Sequence, residues 1–288
     1  MGFIKMNGGG SVAVSLDGKG LAKKMLEEIK NEITKKGLNP GLAVVIVGSN
    51  PASRIYVDSK KKDCKKCGIR SEEFSLLENT SEAELLDLIE ELNGRADIHG
   101  ILVQLPLPKG LNSDKVIQAI SPNKDVDGFH MYNVWRIFVN DYAFLPCTPA
   151  GIVEILAHYD IDPRGKHCVV VGRSTIVGKP MAMILTNLNA TVTVCHSVTV
   201  DLPSFTRQAD ILVSAIGRAD FITADMVKEG AVVIDVGINR REDGSICGDV
   251  DFPAVSKIAS FITPVPGGVG PMTRALLMKN TLEASMRN

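Results

Sequence analysis

One lysine in the run YVDSKKKDCKKC, residues 56 to 67, is a candidate for proton transfer. The run has five lysines and a CxxC, so it raises three possibilities: a nucleic-acid patch, a redox or metal site, or a helix with one special lysine. With Ser53 as N-cap and Gly68 as C-terminal stop, we expect a helix over residues 54 to 67.

Helical periodicity separates Lys60 from the other lysines. At about 100° per residue, one arc holds Lys60 together with less polar side chains, namely Tyr56, Val57, Cys64 and Cys67. The lysines outside this arc are Lys61, Lys62, Lys65 and Lys66. These four are predicted to form an ordinary solvated face, which argues against nucleic-acid binding. Lys60 is either a snorkelling side chain or a lysine whose ammonium is disfavoured, as in enzymes that use lysine for proton transfer.

The CxxC pair predicts neither redox chemistry nor zinc binding. Cys64 and Cys67 end the predicted helix, whereas a redox pair usually opens one, where the helix dipole lowers a thiol pKa. The sequence has no second CxxC and no histidine pair at ligand spacing, so no metal is expected. The six cysteines of this 288-residue chain are expected to be reduced, mostly in the core, and typical of a cytosolic compartment.

A second stretch, CVVVGRSTIVGKP at residues 168 to 180, predicts a strand, a glycine-containing turn and a helix whose backbone amides face a phosphate. Ser174 stands at the second glycine of the G-x-G-x-x-G pattern. The next strand, TVTVC, ends without the carboxylate that holds the ribose hydroxyls of NAD. Arg173 offers a fork of donors for a 2′-phosphate, so the sequence favours NADP, with a surface arginine as the alternative.

Two further segments carry polar side chains at predicted strand ends. GILVQLPLP, residues 100 to 108, predicts a buried strand that stops at the carboxyl edge of a sheet, where Gln104 needs a hydrogen-bond partner. NKDVDG, residues 123 to 128, resembles the start of an EF-hand loop. Val134 stands where the bidentate glutamate is required, so calcium is not expected and a structural turn is the default.

The elements that must position these residues follow from alternation along the chain. Six β-branched segments are separated by helical patterns: residues 42–48, 100–105, 168–172, 191–195, 210–217 and 231–237. This alternation predicts an α/β fold of two domains, each built of βαβ units, the second a Rossmann-like, doubly wound, mostly parallel sheet. A capping box at residues 81–84 predicts the start of one helix.

An irregular stretch at residues 122 to 149 predicts a domain boundary near residue 140. We expect a first domain at residues 1–140 and a nucleotide-binding domain at 141–270. The run from Met272 to Met286 is expected to return to the first domain as a C-terminal helix, 271–288.

Overall charge and hydropathy favour small-molecule partners. Lys and Arg total 32 against 33 for Asp and Glu, so no overall field attracts nucleic acid or an anionic membrane. The longest apolar stretch, Leu42 to Val47, is too short to span a bilayer. The N-terminal MGFIKMNGGG lacks the apolar run of a secretory signal, so a cytoplasmic protein is expected.

Seven motifs, in order along nearly the whole chain, resemble the bifunctional methylenetetrahydrofolate dehydrogenase/cyclohydrolase family. They are YVDSK (56–60), GILVQLPLP (100–108), DVDGFH (125–130), PCTPAG (146–151), GRSTIVGKP (172–180), DVGIN (235–239) and PVPGGVGPMT (264–273). The resemblance implies NADP-dependent oxidation of 5,10-methylenetetrahydrofolate, hydrolysis of the product to 10-formyltetrahydrofolate, and a homodimer. The first domain would then bind folate and the second NADP.

The resemblance also implies roles for individual residues. Lys60 matches the active-site lysine, Tyr56 the tyrosine that stacks on folate, and Gln104 the glutamine that hydrogen-bonds the lysine. Asp127 matches the carboxylate that holds the pterin donors, which completes the catalytic set. The remaining substrate-binding positions are Leu105, Pro266, Gly267 and Gly268. The cofactor-binding positions are Gly172, Arg173, Ser174, Ser197 and Ile238.

Two alternatives remain at this level. One is an NAD-dependent methylenetetrahydrofolate dehydrogenase without cyclohydrolase activity, because Ser174 replaces a glycine and Val198 stands where many members of that family have a basic residue. The other is a folate-binding module without turnover, against which the intact set of Tyr56, Lys60, Gln104 and Asp127 argues.

Overall fold

The computed structural model describes residues 12 to 287, which form parallel sheets connected by helices. The strands are β1 (Val14–Ser15), β2 (Gly41–Val47), β3 (Arg70–Leu76), β4 (Gly100–Val103), β5 (His167–Val171), β6 (Thr191–Cys195), β7 (Ile211–Ser214), β8 (Val232–Asp235), β9 (Asn239–Arg240), β10 (Ile246–Cys247) and β11 (Phe261–Ile262). The helices are α1 (Gly18–Lys36), α2 (Pro51–Cys67), α3 (Glu82–Gly94), α4 (Ser113–Ala119), α5 (Met131–Phe138), α6 (Cys147–His158), α7 (Gly178–Asn187), α8 (Leu202–Thr206), α9 (Phe252–Val255) and α10 (Val269–Ser285). A 3₁₀ turn covers Ala224–Met226. No helix within residues 12–287 has the length and apolar character needed to cross a membrane.

Two parallel sheets dominate the architecture. One has three strands in the order β3-β2-β4, and the other has six in the order β1-β11-β8-β7-β5-β6. A separate antiparallel pair joins β9 to β10. The predicted α/β class with mostly parallel sheets is therefore confirmed, and all six predicted segments contain a strand.

In each parallel sheet the chain turns to opposite sides of one strand, which is central in the smaller sheet and next to the edge strand in the larger one. β2 lies between β3 and β4, and β5 lies between β6 and β7. Ligands of open α/β sheets bind at the carboxyl end of such a switch point. The loop into α2 and the loop into α7 both begin there, so each sheet offers one ligand-binding edge.

The start of α2 differs from the prediction. The side-chain Oδ1 of Asn50 accepts hydrogen bonds from the backbone N–H groups of Ala52 (2.9 Å) and Ser53 (3.2 Å). Ser53 as N-cap was therefore wrong: Asn50 caps the helix, and Pro51 suits the first helical position because its fixed φ is helical. The predicted stop at Gly68 is confirmed, with φ at 83°.

The faces of α2 match the periodicity. Val57, Cys64 and Cys67 are buried, Lys60 is half-buried, and the four other lysines, Lys61, Lys62, Lys65 and Lys66, are exposed. Burial raises the pKa of the Cys64 thiol to about 12 and that of Cys67 to about 11. Both thiols are protonated at neutral pH, so this CxxC contributes to the core. All six cysteines are free and buried.

Helix α10 packs against α1, α2 and α6 and also touches β2 and β4, beside the three-stranded sheet. Most of its side chains are buried, which gives it a close-packed environment on several sides. The domain boundary near residue 140 stays a prediction. That division does not account for β1, which pairs with β11 in the six-stranded sheet.

A buried carboxylate organises the end of β8. Asp235 is 3% exposed, and its side chain accepts hydrogen bonds from the backbone N–H groups of Gly237, Asp249 and Val250, each at 2.9 Å. Burial raises the pKa of Asp235 to about 6, although the three N–H donors act in the opposite direction. The carboxyl group therefore links the β8–β9 loop to the segment after β10.

Asp249, which is fully buried, continues this network toward β7. Its carboxylate accepts hydrogen bonds from the backbone N–H groups of Ile216 (2.7 Å), Gly217 (3.1 Å) and Arg218 (3.0 Å). It also accepts one from the Asn239 side chain at 2.9 Å. The loops that leave β7 and β8 are thus held together at one edge of the sheet.

Asp235 should make stability depend on pH. Its pKa is raised in the folded protein from an ordinary value of 3.8 to about 6, so its contribution is complete below pH 3.8 and is lost as pH rises through 6. The difference in unfolding free energy between the wild type and Asp235→Asn should fall by about 2 kcal/mol between pH 4 and pH 7. Urea unfolding across this range measures it, and a constant difference would contradict the assignment.

Candidate active site

Lys60 and Gln104 meet at the carboxyl edge of the three-stranded sheet. Lys60 Nζ donates a hydrogen bond to Gln104 Oε1 at 3.0 Å, and Gln104 Nε2 donates to the Leu105 carbonyl at 2.6 Å. The second bond orients the amide so that its oxygen faces the lysine. The backbone N–H of Gln104 donates to the Val45 carbonyl at 2.8 Å, which anchors Gln104 to β2.

Asp127 is a half-buried carboxylate in the electrostatic field of Lys60. Burial raises the pKa of Asp127 above its usual range, and the Lys60 ammonium acts in the opposite direction. Nearby Asp125 is buried and accepts hydrogen bonds from the His130 backbone and the Asn133 side chain, both at 2.8 Å. These bonds hold the turn that carries Asp127.

A cleft of about 440 Å³ lies between α2 and the loops that follow β8 and β11. Tyr56, Ile238 and residues 266–268 are among its lining residues. Tyr56 is 37% exposed and Ile238 is 51% exposed, so both can contact a ligand. Lys60, one helical turn beyond Tyr56, is not part of this lining, and neither are Gln104 and Asp127.

The loop from Pro264 to Gly268 forms one wall of the cleft. The Gly268 backbone N–H donates to the Pro264 carbonyl at 2.8 Å, which closes the loop on itself. The Gly267 carbonyl accepts a hydrogen bond from the Lys19 backbone at 2.8 Å. The beginning of α1 therefore supports this wall.

The loop after β5 requires glycine at two positions. Gly172 has φ at 133°, and a Cβ atom there would lie 2.4 Å from the Ala215 carbonyl oxygen. A Cβ atom on Gly178 would lie 2.2 Å from the Gly172 carbonyl oxygen. Ser174 Oγ accepts hydrogen bonds from the backbone N–H groups of Val177 (3.2 Å) and Gly178 (3.3 Å). Ser174 thus supports the first turn of α7, whose remaining N–H groups form a suitable place for phosphate.

The predicted cofactor-binding residues share one edge of the six-stranded sheet. The Gly172 backbone N–H donates to the Cys195 carbonyl at 2.8 Å, so the loop after β5 lies beside the end of β6. Arg173 and Ser197 are exposed there, and Ile238 follows β8 at the same edge. β6 ends at Cys195, and the residues that follow it, His196 and Ser197, include no carboxylate. These residues therefore lie along one edge of the sheet, which suits nucleotide binding.

Several residues at these edges were not anticipated from the sequence. Asp249 accepts backbone hydrogen bonds, and the buried Cys147 thiol lies near Asp127, with its pKa raised well above the usual value by burial and by that carboxylate. Arg274 of α10 lines the cleft. Their positions depend on contacts between distant segments, so local patterns gave little signal. Within residues 12–287 no group of three or more His, Cys, Asp or Glu side chains is placed to hold a metal ion.

Two family models match successive parts of this chain. Residues 16–127 match the model for the catalytic domain of tetrahydrofolate dehydrogenase/cyclohydrolase, and residues 146–288 match its NAD(P)-binding domain. The bifunctional protein FolD of Ruminiclostridium cellulolyticum is 58% identical over 272 residues, which cover 93% of this chain and 96% of that protein.

Two solved structures extend the comparison. The bifunctional FolD methylenetetrahydrofolate dehydrogenase/cyclohydrolase of Campylobacter jejuni has a TM-score of 0.94 and 51% identity, over 96% of this chain and 99% of that one. The FolD enzyme of Trypanosoma brucei, complexed with NADP and an inhibitor, has a TM-score of 0.92 and 37% identity, over 96% and 98% of the two chains. The chain therefore belongs to the tetrahydrofolate dehydrogenase/cyclohydrolase family.

Proposed function

We propose that this protein oxidises 5,10-methylenetetrahydrofolate to 5,10-methenyltetrahydrofolate with NADP, and then hydrolyses the methenyl form to 10-formyltetrahydrofolate. Family membership supports both reactions. The observation that carries the proposal is the hydrogen bond from Lys60 to Gln104 in the neighbourhood of Asp127. This arrangement places a lysine, a neutral acceptor and a carboxylate together at a sheet edge that suits ligand binding.

Residues of the cleft and of the neighbouring sheet edge that carries Lys60 and Gln104 would together bind and orient the folate. The exposed ring of Tyr56 offers a face on which the pterin and aminobenzoyl rings can stack. Leu105, Pro266, Gly267 and Gly268 would contribute the floor of the site. Asp127, as a carboxylate, would accept hydrogen bonds from the N–H donors of the pterin, which fixes the orientation of the carbon that reacts.

Lys60 would manage protons in the hydrolytic step. Water adds to the methenyl carbon and loses one proton. The hydroxyl group so formed loses its own proton as the bond from the carbon to N5 breaks and N5 gains a proton, so one proton is released overall. A lysine held in position by Gln104 can take and return these protons, and general acid–base help of this kind is worth roughly 10² to 10⁴ in rate.

The second sheet would bind the nucleotide. NADP would supply the acceptor for the hydride that leaves the methylene carbon of the substrate. Gly172, Ser174 and the first turn of α7 would hold the phosphates, and Ser197 and Ile238 would contact the rest of the cofactor. The protein contributes mainly alignment to this step.

Absorbance assays test both activities together. We expect reduction of NADP with methylenetetrahydrofolate and accelerated loss of the methenyl band with methenyltetrahydrofolate. Lys60→Met should slow the hydrolysis by at least about 100-fold, because the proton-transfer group is lost. Its thermal unfolding should stay close to that of the wild type.

Lys62→Met is the matched control, since Lys62 is exposed on the same helix. It should leave both activities unchanged. Hydrolysis at the wild-type rate by Lys60→Met would contradict the role of Lys60. NAD reduction by the wild type without hydrolysis would instead support the NAD-dependent dehydrogenase, for which the exposed Val198 beside the nucleotide edge is the motivating feature.

Arg173 should set the preference for NADP. Arg173→Ala removes the charge proposed to meet the 2′-phosphate, so kcat/KM with NADP should fall about tenfold while kcat/KM with NAD changes little. Arg164→Ala, an exposed arginine on the loop before β5, provides the control. An equal loss with both nucleotides would show that Arg173 does not discriminate between them.

The proposal includes a homodimer. β3 lies at the edge of the three-stranded sheet and pairs with β2 on one side, and such an edge can accept a strand from a second copy. Sedimentation equilibrium should give twice the mass of the chain. A concentration-independent monomer mass would contradict this part of the proposal.

A cytoplasmic location is also proposed. It is supported by the six free, buried cysteines, which are typical of a reducing compartment. Cell fractionation with an antibody against the protein tests it, and recovery in another compartment would refute it.

A further inference from the structure

Arg274 presents a cation to the cleft that Tyr56 also lines. Its Nε donates to Asp63 Oδ2 at 2.7 Å, so the guanidinium is tied to α2. The side chain of Asp63 is only 5% exposed, whereas that of Arg274 is 30% exposed. The ion pair therefore has a buried end that fixes the arginine and a more open end toward the cleft.

The cluster around Asp63 carries more positive than negative charge. Asp63 Oδ1 accepts a hydrogen bond from Lys66 Nζ at 2.9 Å, so one carboxylate meets two cations. Within residues 12–287 the two terminal nitrogens of Arg274 donate no hydrogen bond to the protein. Asp63 thus positions Arg274 without satisfying its whole fork of donors.

The acidic group of the cleft does not compensate this charge. Asp235 lines the cleft, but its carboxylate accepts three backbone N–H groups and is 3% exposed. Arg240 adds a second cationic side chain to the lining. The open donors of Arg274 therefore suit an anionic ligand group, and a planar carboxylate matches the geometry of the guanidinium best.

We propose that Arg274 binds a carboxylate of the glutamate portion of the folate substrate. The inference rests on the proposed function, because it takes Tyr56 as the platform for the aromatic part of the substrate. The glutamate lies beyond the aminobenzoyl ring, and Arg274 lies in the same cleft as Tyr56. Arg274 is then a specificity-determining residue that selects folates with a glutamate over derivatives without one.

The test uses a variant that leaves no unpaired buried charge. Replacing Arg274 alone would remove one of the partners of buried Asp63, so the double variant Asp63→Ala with Arg274→Met removes the pair together. Lys66→Met is the matched control, because Lys66 belongs to the same cluster but does not line the cleft. Two ligands are compared by calorimetry: tetrahydrofolate, and tetrahydropteroyl amide, which lacks the glutamate carboxylates.

The double variant should bind tetrahydrofolate about tenfold more weakly than the wild type, the loss expected for one partly exposed charge-assisted hydrogen bond. It should bind tetrahydropteroyl amide within about twofold of the wild type, and Lys66→Met should bind both ligands as the wild type does. The KM for NADP should not change, because the double variant leaves Gly172, Arg173, Ser174, Ser197 and Ile238 in place.

An equal loss for both ligands would overturn the inference, since Arg274 would then only shape the cleft. Unchanged binding of tetrahydrofolate by the double variant would overturn it as well. Binding does not require turnover, so the two proposals separate. A wild type with the expected ligand selectivity and no catalytic activity would support the Arg274 site and refute the proposed function.

Discussion

The packing of α10 is the constraint on which the geometry of the candidate site depends. Asn280, buried on this helix, donates hydrogen bonds to the carbonyl groups of Val126 (2.8 Å) and Leu145 (3.3 Å). These carbonyls lie at the two ends of residues 127 to 144, the segment that begins with Asp127 and includes α5. The same helix begins at the loop that forms one wall of the cleft. One close-packed helix thereby fixes the wall of the cleft relative to the segment that carries Asp127. Because protein interiors are densely packed, a shift of this helix would move both.

The electrostatics of the site depend on partial burial. Lys60 donates a hydrogen bond to a neutral amide oxygen and forms no ion pair within 4.0 Å among residues 12–287. The side chain is therefore held in place without a paired carboxylate. Burial raises the pKa of Asp127, and the Lys60 charge and a hydrogen bond from Cys147 oppose this effect. Full burial would make both charges too costly, and full exposure would screen them. Lys60 and Asp127 are each half-buried, so both side chains can interact with a polar ligand.

The sequence predicted the positions of the main elements well where one residue pattern dominated. The periodicity of α2 separated Lys60 from its exposed neighbours, and continuous β-branched segments marked the central strands. β3 was missed because RSEEFSL is rich in charged residues, which an edge strand tolerates. The N-cap was wrong because Asn50 and Pro51 together give a stronger start signal than Ser53.

The parts of the site that depend on distant contacts were beyond local reasoning. Arg274 and Asp63 are 211 residues apart in sequence, so neither residue indicated its partner. Asp235 and Asp249 look like ordinary polar positions until the backbone N–H groups around them are placed. The pairing of Lys60 with Gln104 was expected only through the family resemblance, because nothing in either local pattern relates α2 to the end of β4.

The position of β1 has a consequence for how the protein unfolds. From β1 in the six-stranded sheet the chain passes to the three-stranded sheet, returns for β5 to β11, and then crosses back as α10. Neither half of the architecture is therefore a single uninterrupted length of polypeptide. Unfolding of either half removes a strand or a helix from the other half. The unfolding of the two halves is therefore coupled through the chain itself. The path of the backbone therefore makes the unfolding of the two halves cooperative, whatever the strength of the contacts across the cleft.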